Sequence, residues 1–205
     1  MDQGSIITSF VTLFVIIDPI GLAPLFVALT TGMSPARRRA IALRALGIAF
    51  GLLLLFGLFG ESLLGFLGIS MPAFRIAGGI LLFLTALDML FERRSKRRRD
   101  QASAEDDPSV FPLATPLIAG PGAIATIILL TGNTSGDWAA QALVFAVLLA
   151  VIALVFLAFQ MAGLLERALG ETGTNVVTRL LGMLLAALSV QFVVDGISTL
   201  VRGAG

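Results

Sequence analysis

Ile16-Ile17-Asp18-Pro19-Ile20-Gly21-Leu22-Ala23-Pro24-Leu25-Phe26 lies inside an apolar stretch running from about residue 6 to residue 30. A stretch of that length can cross a hydrocarbon core about 30 Å thick, which takes roughly 20 helical residues. Its middle is nevertheless hostile to a continuous helix. Pro19 and Pro24 each remove a backbone donor, and Gly21 tolerates unusual dihedrals. Asp followed by Pro is also a helix-start signal, with Asp as N-cap and Pro at the first helical position. The segment therefore reads as a half-helix ending near Ile17 and a second starting at Asp18, its positive end at the bilayer centre. Non-helical backbone at that depth is tolerated only where protein or a water-filled cavity satisfies its polar groups. A mid-span carboxylate costs ~2.5–3.5 kcal/mol on insertion scales, and such groups usually mark ion or substrate paths.

The pattern returns at Thr115-Pro116-Leu117-Ile118-Ala119-Gly120-Pro121-Gly122-Ala123, with Gly120 in the cap position and Pro121 at the start. Around these two segments, six stretches are long and apolar enough to span, at roughly 6–30, 40–60, 72–91, 110–130, 138–162 and 176–201. The composition agrees. Of 205 residues 57% are hydrophobic and 13% charged, and the mean hydropathy is +0.99, too apolar for a soluble core to hide. A net charge of +1 argues against a nucleic-acid partner, whose phosphates need a basic face. The absence of Cys and His removes disulfides, thiolate metal sites and imidazole relays, and no metal site is expected. Residues 1 to 5 carry no positive charge and no cleavage site follows, so no cleaved signal peptide is expected.

The long polar stretch from Glu92 to Pro108 holds Arg93, Arg94, Lys96, Arg97, Arg98 and Arg99, then Glu105, Asp106 and Asp107. Basic residues in short loops stay cytoplasmic. With six crossings, Arg37, Arg38, Arg39, Arg44, Arg167 and Arg179 fall on that same side, leaving Arg75 and Arg202 outside. Residues 31–39, 92–108 and 163–175 are then cytoplasmic loops, and both termini face the periplasm. A second topology, in which stretches one and four are re-entrant hairpins and four spans remain, fits the charges almost as well.

An offset of 104 residues pairs Arg75 with Arg179, Gly78 with Gly182, Leu81 with Leu185, Leu84 with Leu188 and Thr85 with Ser189; an offset of 102 pairs Pro19 with Pro121, Ala23 with Ala125 and Gly68 with Gly170. Three spans per half is an odd number, so the second half would enter from the opposite face. Such inverted repeats are a transporter signature. The expected fold is an all-α membrane protein of six transmembrane helices, arranged as two inverted three-helix repeats with the first and fourth helices broken near the midplane. Residues 1–91 form the first repeat, 92–108 the charged cytoplasmic loop and 109–205 the second repeat.

Among the remaining marks, Gly47 and Gly51 read as a helix-packing pair. Thr85, Thr115, Ser189 and Gln191 could line a cavity. Arg75 and Arg179 read as snorkelling cations, Glu61 as an outer-boundary residue, and Asp88 and Asp195 as carboxylates near span ends. No His-Glu-x-x-His or Gly-x-Ser-x-Gly pattern is present, so an enzyme is not expected.

Asp18, Pro19, Gly21, Pro24 and Phe26, with Pro112, Pro116 and the run Gly120 to Thr126, resemble the MarC family of inner-membrane proteins; Phe74 to Gly79, Phe-Arg-Ile-Ala-Gly-Gly, is also similar. Leu22 stands where the family commonly has Asn, so one polar lining group is missing. The resemblance implies an integral inner-membrane protein and, for some members, uptake of glycine or alanine coupled to a cation gradient. The expected activity is secondary transport of a small neutral amino acid, with no cofactor beyond sodium or a proton as coupling ion. Its partners are the lipid bilayer, the small-molecule substrate and, as an open alternative, further copies of the chain. A membrane subunit that serves assembly alone, or an exporter of another small solute, is the rival. The expected substrate site comprises Asp18, Pro19, Gly21, Gly120, Pro121, Gly122, Ala123 and Thr126, with Asp18 as the ion-coupling group. In this arrangement the substrate carboxylate meets the amides of Gly122 and Ala123, because a helix start presents free N–H groups and partial positive charge.

Overall fold

The structure is a computed structural model and describes residues 3–91, 107–134 and 136–203. Among the described residues every regular element is helical: α1 (Gln3–Ile17), α2 (Pro19–Leu29), α3 (Pro35–Phe66), α4 (Met71–Leu90), α5 (Ser109–Ile118), α6 (Pro121–Gly132), α7 (Trp138–Gln160) and α8 (Ala162–Gly203). Side-chain caps set several of the starts. Ser34 accepts from the amide of Arg37, Ser70 from Ala73 and Asp137 from Ala140, each satisfying a donor the ladder leaves over. Gly32 and Gly68, with φ of 78° and 71°, turn the chain between α2 and α3 and between α3 and α4, where an L side chain would be strained.

Five stretches are long and apolar enough to cross a membrane: Gly4–Leu29, Pro35–Phe66, Met71–Leu90, Trp138–Gln160 and Thr172–Arg202. The pair α5 and α6, bent by 56°, makes a sixth when counted as one span. The exterior is apolar to match, with Leu84, Leu149 and Leu180 all more than half exposed.

Several expectations change in detail. The second span is 32 residues long rather than about 20, because Ser34 and Pro35 start the helix before residue 40 and the apolar run carries it past residue 60 to Phe66. Residues 163–175 are not a loop. They continue as helix apart from Gly170, whose φ of 60° and ψ of −175° kink α8. Residues 92–106 of the expected cytoplasmic loop lie outside the described residues. Gly47 and Gly51 do not pack a helix: both are exposed, and a Cβ on either would meet nothing within 4 Å. Gly47 instead borders an apolar groove of about 330 Å³ between α3 and α7, floored by Leu46, Phe50, Ile152 and Phe156.

The close helix packing lies between α4 and α8, which run antiparallel along their length. Gly196 meets Pro72 and Ile76, Gly79 meets Ser189 and Val193, and Gly182 meets Ala86, Met89 and Leu90. Small residues let the two backbones approach. These contacts interchange between the halves. Gly182 stands 103 residues after Gly79, as Ser189 does after Ala86 and Val193 after Leu90. The register in this helix pair is therefore 103 rather than 104, which matches Ser189 with Ala86 and not with Thr85. The same exchange holds for the larger packing: α2 lies on α8 as α6 lies on α4, α2 on α7 as α6 on α3, and α1 on α7 as α5 on α3.

Two contacts fix the course of the interrupted segments. Ser9 of α1 shares a cavity with Ala140 near the start of α7, and Phe26 of α2 stacks on Phe159 near its end with ring centroids 4.2 Å apart. The α1–α2 unit thus runs the length of α7 and does not turn back. In the other half, Asp107 just before α5 pairs with Arg44 of α3, whereas Ile128 of α6 abuts Gly60, so α5–α6 runs along α3 in the same way. The α1–α2 unit thus counts as a single span, and the bent α5–α6 pair answers to a broken span or a re-entrant segment.

Candidate functional site

Asp18 is the hinge between α1 and α2. Its backbone takes the left-handed conformation, φ 59° and ψ 67°, and its side chain accepts from the amide of Gly21 at 3.0 Å. Asp tolerates that conformation better than most residues because its short polar side chain bonds locally. The amide of Asp18 still donates to the carbonyl of Phe14 at 2.9 Å, and that of Leu22 to Asp18 at 3.0 Å. The interruption is a single residue wide, and the two helices read through as one 26-residue stretch. Asp18 is 0% exposed. Gly21 is required beside it, since a Cβ there would stand inside van der Waals contact with the Asp18 carboxylate.

The second interruption is wider. In α5 the chain coils with Phe111 and Thr115 in extended conformation, and the cis peptides Phe111–Pro112 and Thr115–Pro116 follow them. Its bonds reach five residues back, from Leu113 to Pro108 and from Ala119 to Ala114. Gly120 then caps α6 without a side chain. A Cβ on Gly120 would collide with the Pro116 carbonyl, so this glycine is set by the returning coil. The ladder of α6 begins with Ile124 donating to Gly120 at 3.0 Å. The amides of Gly122 and Ala123 precede that bond, and Pro121 has none to give.

Ile16 brings the two interruptions together. A Cβ built on Gly122 would stand 2.8 Å from Ile16 Cδ1 and 3.5 Å from Leu82 Cδ2. Ile16 therefore packs closely against the Cα of Gly122 in this conformation. Gly122 and Ala123 are buried, whereas Pro121 is exposed. One turn further on, Thr126 is 0% exposed, and its hydroxyl has no hydrogen-bond partner. An orphaned buried hydroxyl costs about 1–3 kcal/mol, and it sets this position apart from Thr131, the other hydroxyl of α6, which donates to the Ile127 carbonyl at 2.9 Å.

The expected cavity-lining residues separate. Gln191 lines a cavity of about 660 Å³ at the α1 start and the α6 end. Ser189 does not: it is buried, donates to the Ala186 carbonyl at 2.7 Å and backs onto Gly79. Thr85 donates to its own helix at Leu81, and Thr115 to Val110 at 3.4 Å inside the α5 coil. Arg75 does more than snorkel, because its guanidinium donates to the side-chain carbonyl of Asn133. The cavity's Asp137 gave no sequence signal beyond a helix cap. Only the folded chain sets it beside Asp195.

The family model described as MarC family integral membrane protein matches residues 4–201. The chain is 38% identical over 201 residues to the UPF0056 inner membrane protein YhgN of Escherichia coli, covering 98% of this chain and 100% of that one. A UPF0056 membrane protein of Archaeoglobus fulgidus is 41% identical over 194 residues, 93% of this chain and 91% of its own. One from Aquifex aeolicus is 37% identical over 201 residues, 96% and 94% respectively. No solved structure matches the chain.

Proposed function

Since the chain belongs to the MarC family of integral membrane proteins, we propose that it is a secondary transporter of small neutral amino acids such as glycine and alanine, coupled to a cation gradient. It acts as a six-span, 3+3 inverted repeat in the inner membrane, as the name of the E. coli relative suggests, with no catalytic step. The observation that carries the reading is the pair of unlike helix starts joined through Ile16. The start at Pro19 is capped by a fully buried carboxylate, and the start at Pro121 has no side-chain cap.

That asymmetry suits a zwitterion. A substrate ammonium, or the coupling sodium ion or proton, is drawn to Asp18, while the carboxylate meets the amides of Gly122 and Ala123 and the positive end of α6. The Thr126 hydroxyl, unpartnered one turn below, is available to the same ligand. Ile16 must leave Gly122 before the carboxylate can arrive, so the form described here is closed at the site. The exchange of contacts between the halves supports the inverted repeat, which lets two closures related by a pseudo-two-fold axis alternate. Counterflow of radiolabelled glycine or alanine in liposomes holding only this chain tests the reading. Uptake above that of empty liposomes is expected, and its absence for both substrates in folded protein rejects it in favour of a role in membrane assembly.

A further inference from the structure

The 660 Å³ cavity is polar on three sides. Ser5, Thr8 and Ser9 come from α1, Asn133 and Asp137 from the turn after α6, and Gln191 and Asp195 from α8. Two carboxylates thus share a space whose lining, among the described residues, holds no Lys or Arg. One oxygen of Asp137 caps the amide of Ala140 at 3.0 Å, and Asp195 accepts from Gln191 at 2.7 Å; a carboxylate offers about four lone-pair positions, so both retain acceptor capacity. Arg75 donates to the side-chain carbonyl of the lining residue Asn133 and, with a neutral partner, keeps its charge at the edge of the cavity. Carboxylates in a cleft with low-dielectric walls focus a negative potential into it.

The cavity also points inward. α1 and α6 run antiparallel: Ser9 and Leu130 line the cavity together, and further in Ile16 meets Gly122. Thr12 and Thr126 fall at a common level between these contacts. Both are 0% exposed. The Thr12 hydroxyl donates to Thr8 O at 2.7 Å and the Ser9 hydroxyl to Ser5 O at 2.8 Å, which leaves their oxygens as acceptors along the seam. Thr126 lies one helical turn beneath Leu130 on the same face, with its hydroxyl unpartnered. The volume holds a small solute with many waters, at roughly 30 Å³ for each water.

We propose that this cavity is the aqueous outer vestibule of the transport path, where Asp137 and Asp195 receive the ammonium end of a small ligand and hand it along the α1–α6 seam toward Thr126. The inference deepens the transport reading and rests on it for the ligand, whereas the vestibule's charge can be read without any transport.

The chain has no native Cys, so a Thr8→Cys variant gives a single thiol. In purified protein at low salt it should react with a trimethylammonium thiosulfonate about tenfold faster than with the sulfonate analogue, each rate normalised to a free small thiol. Adding Asp137→Asn and Asp195→Asn should reduce that preference at least threefold; Asn at 137 still caps α7, and Asp195→Asn alone serves if the double change fails to fold. In sealed cells the same thiol should react from outside. The thiol of Thr126→Cys should react more slowly and become faster when Leu130→Ala opens the floor. Equal normalised rates at position 8, a preference unchanged by the Asn variants, or reaction only after permeabilisation overturns the outer acidic vestibule; an inert thiol at 126 even with Leu130→Ala overturns its inward continuation. Glycine counterflow is scored separately. Charge preference without counterflow retains the vestibule and rejects the substrate, and counterflow without charge preference does the reverse.

Discussion

Ile16, two residues before the hinge at Asp18, rests on Gly122, the second residue of α6, so closely that a Cβ on the glycine would be 2.8 Å from Ile16 Cδ1. One aliphatic side chain thereby packs against the first turn of a helix in the other half of the chain. Ile16→Ala should uncover it. The reaction rate of a Thr126→Cys thiol with a small polar reagent is expected to rise several-fold, with Ile16→Val between the two. Truncating a buried Ile costs about 2–5 kcal/mol, so thermal unfolding should be followed in the same samples. No rise in a folded variant would mean that Ile16 only fills space.

Asp18→Asn keeps volume, cap capacity and tolerance of the left-handed conformation while deleting the charge. Thermal stability should stay within about 1 kcal/mol, consistent with a retained cap, and glycine counterflow should fall at least tenfold. Asp18→Ala should lose stability as well, because the Gly21 amide loses its acceptor. Wild-type counterflow with unchanged dependence on pH and sodium in Asp18→Asn would reduce the residue to a helix cap.

Gly79→Val and Gly182→Val should each lower stability by about 1–3 kcal/mol through overpacking, since the added atoms meet Ser189 O at 2.8 Å and Met89 Cβ at 2.9 Å. Gly47→Ala and Gly51→Ala should act in the opposite direction, by about 0.5–1 kcal/mol, as the helix gains propensity in open space. Midpoints of thermal unfolding in one detergent would rank the four variants. Equal effects from both pairs would contradict the described α4–α8 seam.

The Asp107 carboxyl is held below its ordinary value of 3.8 by Ser109, whose amide donates to it at 3.1 Å, and by the Arg44 guanidinium, against an opposing effect of burial. A depressed carboxylate stabilises the fold fully above its unfolded value, and that contribution disappears as pH falls through the folded one. The tie between α3 and the start of α5 should therefore persist at pH 4 and weaken below it. Both partners are largely exposed, so Asp107→Asn is expected to cost no more than about 1 kcal/mol at pH 7 and less at pH 2.5. A variant that differs equally from wild type at both pH values would show that the pair contributes nothing through its charge.

Helix content, the approximate spans and both helix starts were legible because each rests on local chemistry: apolar runs of spanning length, Asp18-Pro19, and Gly120-Pro121. The site was legible only in part. Sequence marks Gly122 as a place of close approach, but it does not say that Ile16 makes that approach rather than a ligand. Likewise Gly120 reads as a flexible cap, whereas the Pro116 carbonyl is what excludes a side chain there. A Gly120→Asp change consequently reports collision and not charge. Asp137 carries no sign of its neighbour Asp195, 58 positions away. Gly47 and Gly51 misled because small residues spaced by four mark a seam only where a partner helix lies against them. The pairing at 104 sets Gly182 against Gly78, because two adjacent glycines let the sequence choose either, whereas the α4–α8 contacts exchange Gly182 with Gly79, at 103.

The interchange of contacts between the halves gives the transport reading proposed above a concrete requirement. The mouth beside Ser9 and Ala140 lies at the starts of α1 and α7, and the tie of Arg44 to Asp107 lies at the starts of α3 and α5. Under that reading a second mouth would need no blueprint of its own. Untying one end while closing the other would be enough, so the two ends would share a single opening as the pans of a balance share a height.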